Sequence, residues 1–327
     1  ADRTYNDESW ERIQLPHDWS IKLSFDKKMG GSAAHLPGGI GWYRKQFKLP
    51  RSYNGKVISI LFDAICHQSD VYINGHHLGF RPYGFCSIEY DLTPYLDYDG
   101  ENVIAVRVNR SGVKDVARWY TGSGIYRHAW LQVTNPVHVA TYGTYVTTPS
   151  VSEDKAEIRI MTTLENELKK VQTVSISHLI LDNQGKIVAK SGTEKTLFEA
   201  GQSIKITQNL TLNYPRLWTL EKPELYTLET TVKANGKVTD LYKTPFGIRT
   251  IAFDSEKGFL LNGKQVKLKG MCLHQDAGSL GTAVLDRSYE RRLEIIKEYG
   301  CNAIRCSHNQ PSPEFLDMCD RMGFVVI

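Results

Sequence analysis

The chain has few cysteines, little net charge and no long apolar run. No stretch of its 327 residues approaches the roughly 20 apolar residues that a membrane-spanning helix needs, so we expect no membrane partner. The formal net charge is only +4 and Lys and Arg are scattered, which argues against a nucleic-acid partner. The first residues form no signal peptide. We expect a periplasmic or secreted protein if such a segment was removed, and a cytoplasmic one otherwise.

The chain has too few cysteines to be a small fold that is held together by disulfides. We interpret the six cysteines as mostly buried free thiols, and their number says nothing about the compartment. They are Cys66, Cys86, Cys272, Cys301, Cys306 and Cys319.

Residues 1–135 are predicted to form an all-β domain. The pair Asn74-Gly75 stands between two short apolar segments, and both residues adopt positive φ at little cost, which predicts a tight hairpin. Residues 102–109 (NVIAVRVN) are almost continuously apolar, as in a strand. Many short strands separated by turn residues are typical of a sandwich or jelly roll.

Residues 136–250, after the boundary at Asn135-Pro136, again resemble a series of strands. About seven of them over this length predict an immunoglobulin-like sandwich. This stretch carries no obvious chemical constellation, so we interpret it as a spacer.

Residues 251–327 change to a βα pattern. A hairpin around Asn262-Gly263 precedes a strand at 266–271, a helix at 288–299, a strand at 302–306 and a helix at 312–322. Alternating strands and helices indicate a parallel sheet, here the first units of a (β/α)8 TIM barrel. The last residues, 323–327, form another apolar strand, so we expect the chain to stop partway round the barrel.

Local signals predict how both helices begin, end and pack. Asp286 or Ser288 should cap the first, and Gly300 should end it. Ser312 should cap the second, with Pro313 at its first position and Gly323 after its end. The predicted apolar stripes are Leu293, Ile296 and Tyr299 on the first helix and Leu316, Cys319 and Met322 on the second.

Polar clusters follow both predicted parallel strands. His274 and Asp276 come after the first strand, while Arg305 ends the second and His308 follows it. In a βα barrel the chemistry lies at these carboxyl ends, so the two clusters predict one site. Histidine can donate to a hydroxyl, and arginine can keep a carboxylate ionised. The alternative is a set of polar residues that only cap loops.

A zinc site is a second alternative for the same residues. Cys272 and His274 are two apart, as are Cys306 and His308, so each pair faces one side of an extended segment. Together they could form a Cys2His2 site, although this spacing is unlike the usual zinc patterns.

Two aromatic clusters in the first domain would suit a sugar. They are LPHDW at residues 15–19 and RWYTGSGIYR at residues 118–127. Aromatic rings fit the apolar C–H faces of a sugar, and the neighbouring charged groups fit its hydroxyls. The alternative for each is a tightly turned loop packed on tryptophan.

Few acidic residues lie at the predicted strand ends. Glycoside hydrolysis needs two carboxyl groups that flank one bond, about 5–5.5 Å apart for retention and about 6.5–9.5 Å apart for inversion. After residue 270 only Asp276 follows a strand directly, and the other acidic residues lie on or beside helices. The chain therefore offers no complete acid–base pair.

The chain as a whole resembles glycoside hydrolase family 2. Within it, CLHQDAGSLGTAV at residues 272–284 most resembles β-galactosidase-type members. The resemblance is carried by LPHDW (15–19), PGGIGWYRKQF (37–47), VYINGHHLG (71–79), GSGIYRHAWL (122–131), LWTLEKPELYTL (217–228), FGIRTI (246–251), LLNGKQVKLKGMCLHQD (260–276) and NAIRCSH (302–308).

The resemblance implies roles for individual residues. His274 and His308 match histidines that contact sugar hydroxyls, and Arg305 matches an arginine that pairs with the nucleophilic carboxylate. Asp18 matches a residue reaching the pocket from the first domain, and Asp276 is expected beside that pocket. Arg118 departs from the family pattern, since some relatives carry a substrate-binding Asp there.

The resemblance also implies an activity for the full-length protein. It would be a retaining exo-β-glycosidase that acts on terminal β-galactosides in carbohydrate catabolism. The two catalytic glutamates are expected on later barrel strands, so residues 1–327 alone should be inactive. The alternatives are a β-glucuronidase or β-mannosidase, or a non-catalytic carbohydrate-binding protein. The expected partner is a terminal β-linked sugar. No cofactor is expected in this chain, while the resemblance is compatible with a divalent metal in the full-length enzyme and with a homo-oligomer.

Overall fold

The computed structural model describes residues 2–111 and 117–327. Two β-sandwiches are followed by βα units, which confirms the predicted fold class. We call the three parts domain 1, domain 2 and the barrel segment.

Domain 1 is a sandwich of two antiparallel sheets. One sheet has the order β1-β6-β3-β4 and the other β5-β2-β7. An aliphatic core lies between them, with Ile58, Val71 and Val108 fully buried. The strands are β1 (Ile40–Phe47), β2 (Val57–Phe62), β3 (Ser69–Ile73), β4 (His76–Arg81), β5 (Ile88–Asp91), β6 (Asn102–Asn109) and β7 (Ala129–Thr134).

The hairpin between β3 and β4 turns where the sequence predicts. Asn74 has φ of 49° and Gly75 has φ of 86°, so both central residues are left-handed. Two successive positive φ values match the right-handed twist of the flanking strands, which is why this dipeptide makes a two-residue hairpin.

Domain 2 is a second sandwich with longer strands. A five-stranded sheet has the order β11-β10-β14-β15, with β12 also paired to β10, and it faces a three-stranded sheet β13-β9-β8. Alternate residues of β14 are buried, as expected for a sheet with one face on the core. The strands are β8 (Val137–Val151), β9 (Lys155–Asn166), β10 (Gln172–Leu181), β11 (Ile187–Lys190), β12 (Glu194–Phe198), β13 (Ser203–Asn213), β14 (Tyr226–Ala234) and β15 (Lys237–Phe246).

The barrel segment begins with a small antiparallel sheet and continues as a parallel one. The parallel sheet has the order β19-β20-β21, with α1 and α2 packed against it. The elements are β16 (Ile251–Asp254), β17 (Gly258–Leu261), β18 (Lys264–Gln265), β19 (Gly270–Leu273), α1 (Asp286–Glu298), β20 (Ala303–Cys306), α2 (Pro313–Met322) and β21 (Val325–Val326). The first parallel strand therefore starts later than predicted.

The predicted cap of α1 is wrong. Leu285 occupies the N-cap position and no side chain accepts a hydrogen bond there, because Asp286 already lies inside the first turn. Gly300 has φ of 77° and follows the helix as predicted. Leu293 and Ile296 are buried, but Tyr299 is 77% exposed and does not belong to the apolar stripe.

The predicted ends of α2 are confirmed, and of its predicted stripe Cys319 and Met322 face the core while Leu316 does not. The Ser312 hydroxyl accepts a hydrogen bond from the Phe315 amide, and Gly323 ends the helix with φ of 73°. The buried side chains are Phe315, Met318 and Cys319, while Leu316 is exposed. Phe315 thus takes the place that the sequence gives to Leu316 at the start of the buried face.

All six cysteines are free thiols, as predicted, but the expectation that most are buried is wrong. Only Cys66 and Cys319 are buried, and Cys272 is exposed. In the part of the chain that the structure describes, no helix has the length and apolar character needed to cross a bilayer.

Domain 2 is bonded directly to the barrel segment. The Trp218 indole donates to the Asp320 carbonyl over 2.8 Å. The Lys297 ammonium donates to the carbonyls of Leu220, Met322 and Gly323, which include the end of α2. Domain 2 therefore supports the helical side of the barrel segment.

Candidate functional site

The two predicted histidines lie side by side at one edge of the parallel sheet. In β19 and β20, Cys272 pairs with Arg305 and Leu273 with Cys306, so the following residues leave the sheet at the same level. The His274 and His308 rings meet edge to face with centroids 5.6 Å apart. The two strand ends thus bring these histidines together, as the parallel pairing predicts, and their role in a site stays a prediction.

A tryptophan from domain 1 completes a cluster of three rings. Trp119 stacks on His274 at 5.3 Å with an interplanar angle of 25°, and meets His308 edge to face at 5.1 Å. Trp119 lies in the segment RWYTGSGIYR, which the sequence marks as aromatic without showing that it reaches the barrel. We call Trp119, His274 and His308 the three-ring cluster.

Polar atoms of the three-ring cluster are unused by the protein. Trp119 Nε1 and His274 Nδ1 are buried and have no hydrogen-bond partner among the described residues. Desolvation, Arg305 and His274 lower the pKa of His308. The His308 imidazole is therefore neutral at pH 7 and can both donate and accept a hydrogen bond.

Arg305 lies beside the three-ring cluster on the open face of the sheet. Its Nη1 donates to Ser307 Oγ over 3.0 Å and to Cys272 Sγ over 3.7 Å. Hydrogen bonds from Ser307 and Arg305 lower the pKa of the Cys272 thiol. The Arg305 side chain is exposed and has further N–H groups available for a carboxylate.

Asp18 is placed differently from its predicted role. It is only 1% exposed. Its carboxylate accepts hydrogen bonds from the Tyr120 hydroxyl, from the amides of Ser20 and Ser123, and from both the amide and the hydroxyl of Thr282. The carboxylate thus ties domain 1 to the loop after β19 instead of presenting a free oxygen. Direct contact with a sugar stays a prediction that this geometry does not favour.

In the part of the chain that the structure describes, the side chains of Asp276 and Arg118 form no hydrogen bond or ion pair with the three-ring cluster. The Asp276 carbonyl accepts a hydrogen bond from Arg292, and its side chain is half-buried. Arg118 is exposed next to Trp119. Substrate binding by Asp276 stays a prediction.

Gln275 and Arg127, for which the sequence predicts no individual role, hold the two strand-end loops against domain 1. The buried Gln275 donates to the Thr121 carbonyl over 2.9 Å and accepts from Asn309 Nδ2 over 2.9 Å. Arg127 of domain 1 donates to the Gln310 carbonyl over 2.7 Å. Both strand-end loops are therefore anchored on domain 1, and a pairing across domains leaves no signal in the sequence.

The cavity next to Gln275 and Arg127 is too small for a sugar. A cavity of about 30 Å³ lies among Arg127, His274, Gln275 and Ser307. That volume holds about one or two waters, whereas small-molecule sites enclose roughly 300–1,000 Å³. A sugar would have to approach from the open side, where His308 and Arg305 are exposed.

The zinc hypothesis is wrong for these residues. Cys272 lies on the exposed face of the sheet with Arg305, whereas Cys306 packs with Leu273 on the helical side. Adjacent residues of a strand point to opposite faces, so the two thiols cannot share an ion. Across residues 2–111 and 117–327, no group of three or more His, Cys, Asp or Glu residues is arranged to hold a metal.

Family models match nearly the whole chain. Residues 20–136 match the sugar binding domain of glycosyl hydrolases family 2, residues 137–249 match the family 2 model that follows it, and residues 253–327 match the family 2 TIM barrel domain. The chain belongs to glycosyl hydrolase family 2.

Similar proteins of known name include both β-galactosidases and β-glucuronidases. The β-galactosidase BoGH2A of Bacteroides ovatus is 48% identical over 99% of the chain, which spans 38% of that relative. A putative β-glucuronidase of Formosa agariphila is 38% identical over 98% of the chain and 30% of the relative. The chain thus spans less than half the length of either protein.

Solved structures of family 2 members share the fold throughout. A member from Bacteroides cellulosilyticus has a TM-score of 0.93 at 40% identity, covering 100% of this chain and 44% of that one. A family 2 β-glucuronidase has a TM-score of 0.92 at 34% identity, covering 100% of this chain and 36% of that one. The three-ring cluster therefore lies in the glycosidase architecture, at the strand ends of its barrel.

Proposed function

We propose that the full-length protein is a retaining exo-β-glycosidase that removes terminal β-galactosides in carbohydrate catabolism. Residues 1–327 would hold the terminal sugar, and the two catalytic glutamates would lie elsewhere. The observation that carries the proposal is the three-ring cluster beside Arg305 at the carboxyl ends of β19 and β20. The 48% identity to a β-galactosidase supports galactose as the sugar.

The neutral His308 ring would bind a sugar hydroxyl, with His274 beside it. These hydrogen bonds would strengthen as the sugar ring flattens toward an oxocarbenium ion, which is when binding lowers the barrier. Trp119 would keep water from the rings and fix their orientation, because it contacts both of them.

Arg305 would hold the nucleophilic carboxylate ionised and in place. A guanidinium close to a carboxylate lowers the carboxyl pKa, which keeps the attacking group charged at neutral pH. One glutamate would attack the anomeric carbon, and the other would protonate the leaving oxygen and then activate water. Both steps need the missing pair, so the 327-residue chain should show no sustained turnover.

A β-glucuronidase is the second candidate, favoured by the relatives that carry this name. The exposed guanidinium of Arg305 could equally bind the carboxylate of a glucuronide. A β-mannosidase or a non-catalytic carbohydrate-binding protein are the remaining alternatives. Homo-oligomer formation and metal dependence stay predictions.

Kinetics of the full-length protein on nitrophenyl β-galactoside, β-glucuronide and β-mannoside test the proposal. We expect the highest kcat/KM on the galactoside, and about a 100-fold loss in His308→Ala, equivalent to about 2.7 kcal/mol of transition-state stabilisation. His76→Ala, an exposed histidine of β4, is the control and should stay within twofold. A glucuronide preference would favour the second candidate, and sustained turnover by residues 1–327 alone would contradict the proposed division of roles.

A further inference from the structure

A small cavity at the junction of domain 1 and the barrel segment carries a positive charge and no negative one. It is the cavity next to Gln275 and Arg127, and its volume of about 30 Å³ is room for about one or two waters. Among the described residues that line it there is an arginine but no aspartate or glutamate. We call it the arginine cavity.

Arg127 is a buried charge without a carboxylate partner. The residue is only 7% exposed. Its Nη2 donates to the Gln310 carbonyl over 2.7 Å, and its guanidinium lies 5.2 Å from the centroid of the Tyr126 ring. In the part of the chain that the structure describes, Arg127 Nε is buried without a hydrogen-bond partner, and no carboxylate forms an ion pair with Arg127. Because an unpaired buried charge is costly, a negative ligand beside Arg127 would stabilise the folded chain.

Asp63 of domain 1 does not neutralise this charge. Burial raises the pKa of the Asp63 carboxyl, and the nearby Arg127 offsets only part of that rise. The Asp63 carboxylate accepts a hydrogen bond from the Trp130 indole over 3.0 Å, and Asp63 does not line the arginine cavity. The cavity is therefore the place where a partner for Arg127 is missing.

Two further polar groups at the arginine cavity are able to donate. His274 Nδ1 is buried without a hydrogen-bond partner among the described residues, and one tautomer of the ring places a proton on it. The Ser312 hydroxyl accepts from the Phe315 amide over 3.3 Å, which leaves its own proton to be donated. A buried water makes about three hydrogen bonds, and its own protons need acceptors. An anion can accept from all three donors at once.

The first turn of α2 adds positive potential. Ser312, the N-cap residue, and Phe315 both line the arginine cavity, so the cavity adjoins the N-terminus of a helix of 10 residues. The dipole of a helix is positive at this end, which favours an anion there. This potential adds to the charge of Arg127.

We propose that the arginine cavity binds one small monovalent anion of the size of chloride. Arg127 Nε, His274 Nδ1 and the Ser312 hydroxyl would donate to it. Chloride is only slightly larger than a water molecule, so it suits a cavity of about 30 Å³. Sulfate and phosphate need room for four oxygens around the central atom and are too large.

An anion at His274 Nδ1 would fix the tautomer of this ring. The nitrogen that donates carries the proton, so His274 Nε2 becomes a hydrogen-bond acceptor. It could then accept from a sugar hydroxyl, while Trp119 stacks on the ring and holds its orientation. This consequence rests on the proposed function, whereas anion binding itself does not.

Chloride titration of the 327-residue chain tests the site, with sodium gluconate keeping the ionic strength constant because its anion is too large for the cavity. The readouts are the line width of the chloride NMR signal and the melting temperature, which should rise as it does for a ligand that binds only the folded state. We expect Arg127→Gln to weaken chloride binding about tenfold, and Arg127→Lys, which keeps the charge, to restore part of it. Arg51→Gln is the matched control, since it removes the same charge from a side chain of domain 1 that is 83% exposed, and it should leave the affinity unchanged. Circular dichroism should show that each variant is folded.

Crystals of the unmodified chain soaked in bromide give a test that needs no variant. The anomalous signal of bromide should show a peak between Arg127 and His274. Bromide found only at exposed side chains would mean an adventitious ion only and would overturn the proposal. Equal chloride affinity of Arg127→Gln and Arg51→Gln would also overturn it.

Kinetics of the full-length protein separate this proposal from the proposed function. Replacing chloride by gluconate should lower kcat/KM on nitrophenyl β-galactoside about threefold, and Arg51→Gln should show the same response. If chloride binds in the cavity and the full-length protein hydrolyses no glycoside, only the proposed function fails. Turnover without chloride binding would contradict only the anion site, and turnover that ignores bound chloride would contradict the role given to the His274 tautomer.

Discussion

Replacing Asp18 by Asn should weaken the junction between domain 1 and the barrel segment. The carboxylate has two oxygens, and each accepts at least three hydrogen bonds. In the amide one oxygen becomes an NH2 group, which would face either the amide and hydroxyl of Thr282 or the amides of Ser20 and Ser123. Two buried donors would then lose their acceptor.

The expected cost is about 3 kcal/mol. Each hydrogen bond to a charged group contributes about 1.5–3 kcal/mol, and rotation of the Thr282 hydroxyl recovers part of the loss. For a cooperative unit of about 150–250 residues, 1 kcal/mol lowers the melting temperature by about 2–4 °C. We therefore expect Asp18→Asn to melt about 6–12 °C lower than the unmodified chain, and the Thr282 amide to exchange faster with solvent.

Asp254→Asn is the matched control. Asp254 is an exposed turn carboxylate whose Oδ1 accepts from the amides of Glu256 and Lys257, and the oxygen of Asn can take over both contacts. A change within about 0.5 kcal/mol is expected there. If Asp18→Asn melts with this control and binds sugar less tightly, the reasoning is refuted. The carboxylate would then act on the ligand, as the sequence suggests.

Two further changes test how domain 1 packs on the barrel segment, one at the contact of Gly122 with Thr282 and one at the buried carboxyl of Glu314. In urea unfolding, Gly122→Ala should lower the free energy of unfolding by about 3 kcal/mol, because φ is +74° and the new Cβ would lie 1.8 Å from Thr282 Oγ1. Gly185→Ala is the control. Its φ is +80° but the space around it is open, so it should lower the free energy of unfolding by only about 1 kcal/mol. Burial raises the pKa of the Asp63 and Glu314 carboxyls, whose Oδ1 and Oε2 atoms have no partner among the described residues. The folded state then binds a proton at each of these carboxyl groups more tightly than the unfolded state does. Their contribution to the free energy of unfolding is therefore most favourable below the ordinary pKa values of 3.8 and 4.5, and it falls as the pH rises through the raised pKa values. Glu314→Gln should flatten that fall in melting curves between pH 4 and 8, and an unchanged slope would contradict it.

The Asn74-Gly75 hairpin and the two ends of α2 were predictable from the sequence because their causes are local, whereas the start of α1 was not, since no side chain caps it. The left-handed residues Asn74 and Gly75 make their own hairpin, and Ser312 caps α2 with its own hydroxyl. The buried face of α2 was not predictable in the same way. Stripes starting at Phe315 and at Leu316 are both apolar, and only the surface of the neighbouring sheet and of α1 selects the first.

The residues of the candidate site also differ in whether the sequence alone could predict their positions. His274 and His308 were predictable together because the carboxyl ends of parallel strands share an edge. Trp119 was not, because its position depends on how domain 1 packs on the barrel segment. The bonding of Asp18 to Thr282 was not predictable either, since sequence alone does not say which side of an extended stretch faces a neighbouring loop.

The three-ring cluster is therefore a property of the interface between domains. Trp119 comes from domain 1 and both histidines from the barrel segment, so their contacts persist only while the two parts stay in register. The groups that hold this register are Asp18, Gln275 and Arg127, none of which belongs to the rings. A substitution at these positions should displace the rings without altering their chemistry. Domain 1 is thus a structural part of the proposed sugar site, and a barrel segment without it would keep the histidines but lose the Trp119 contacts that orient them.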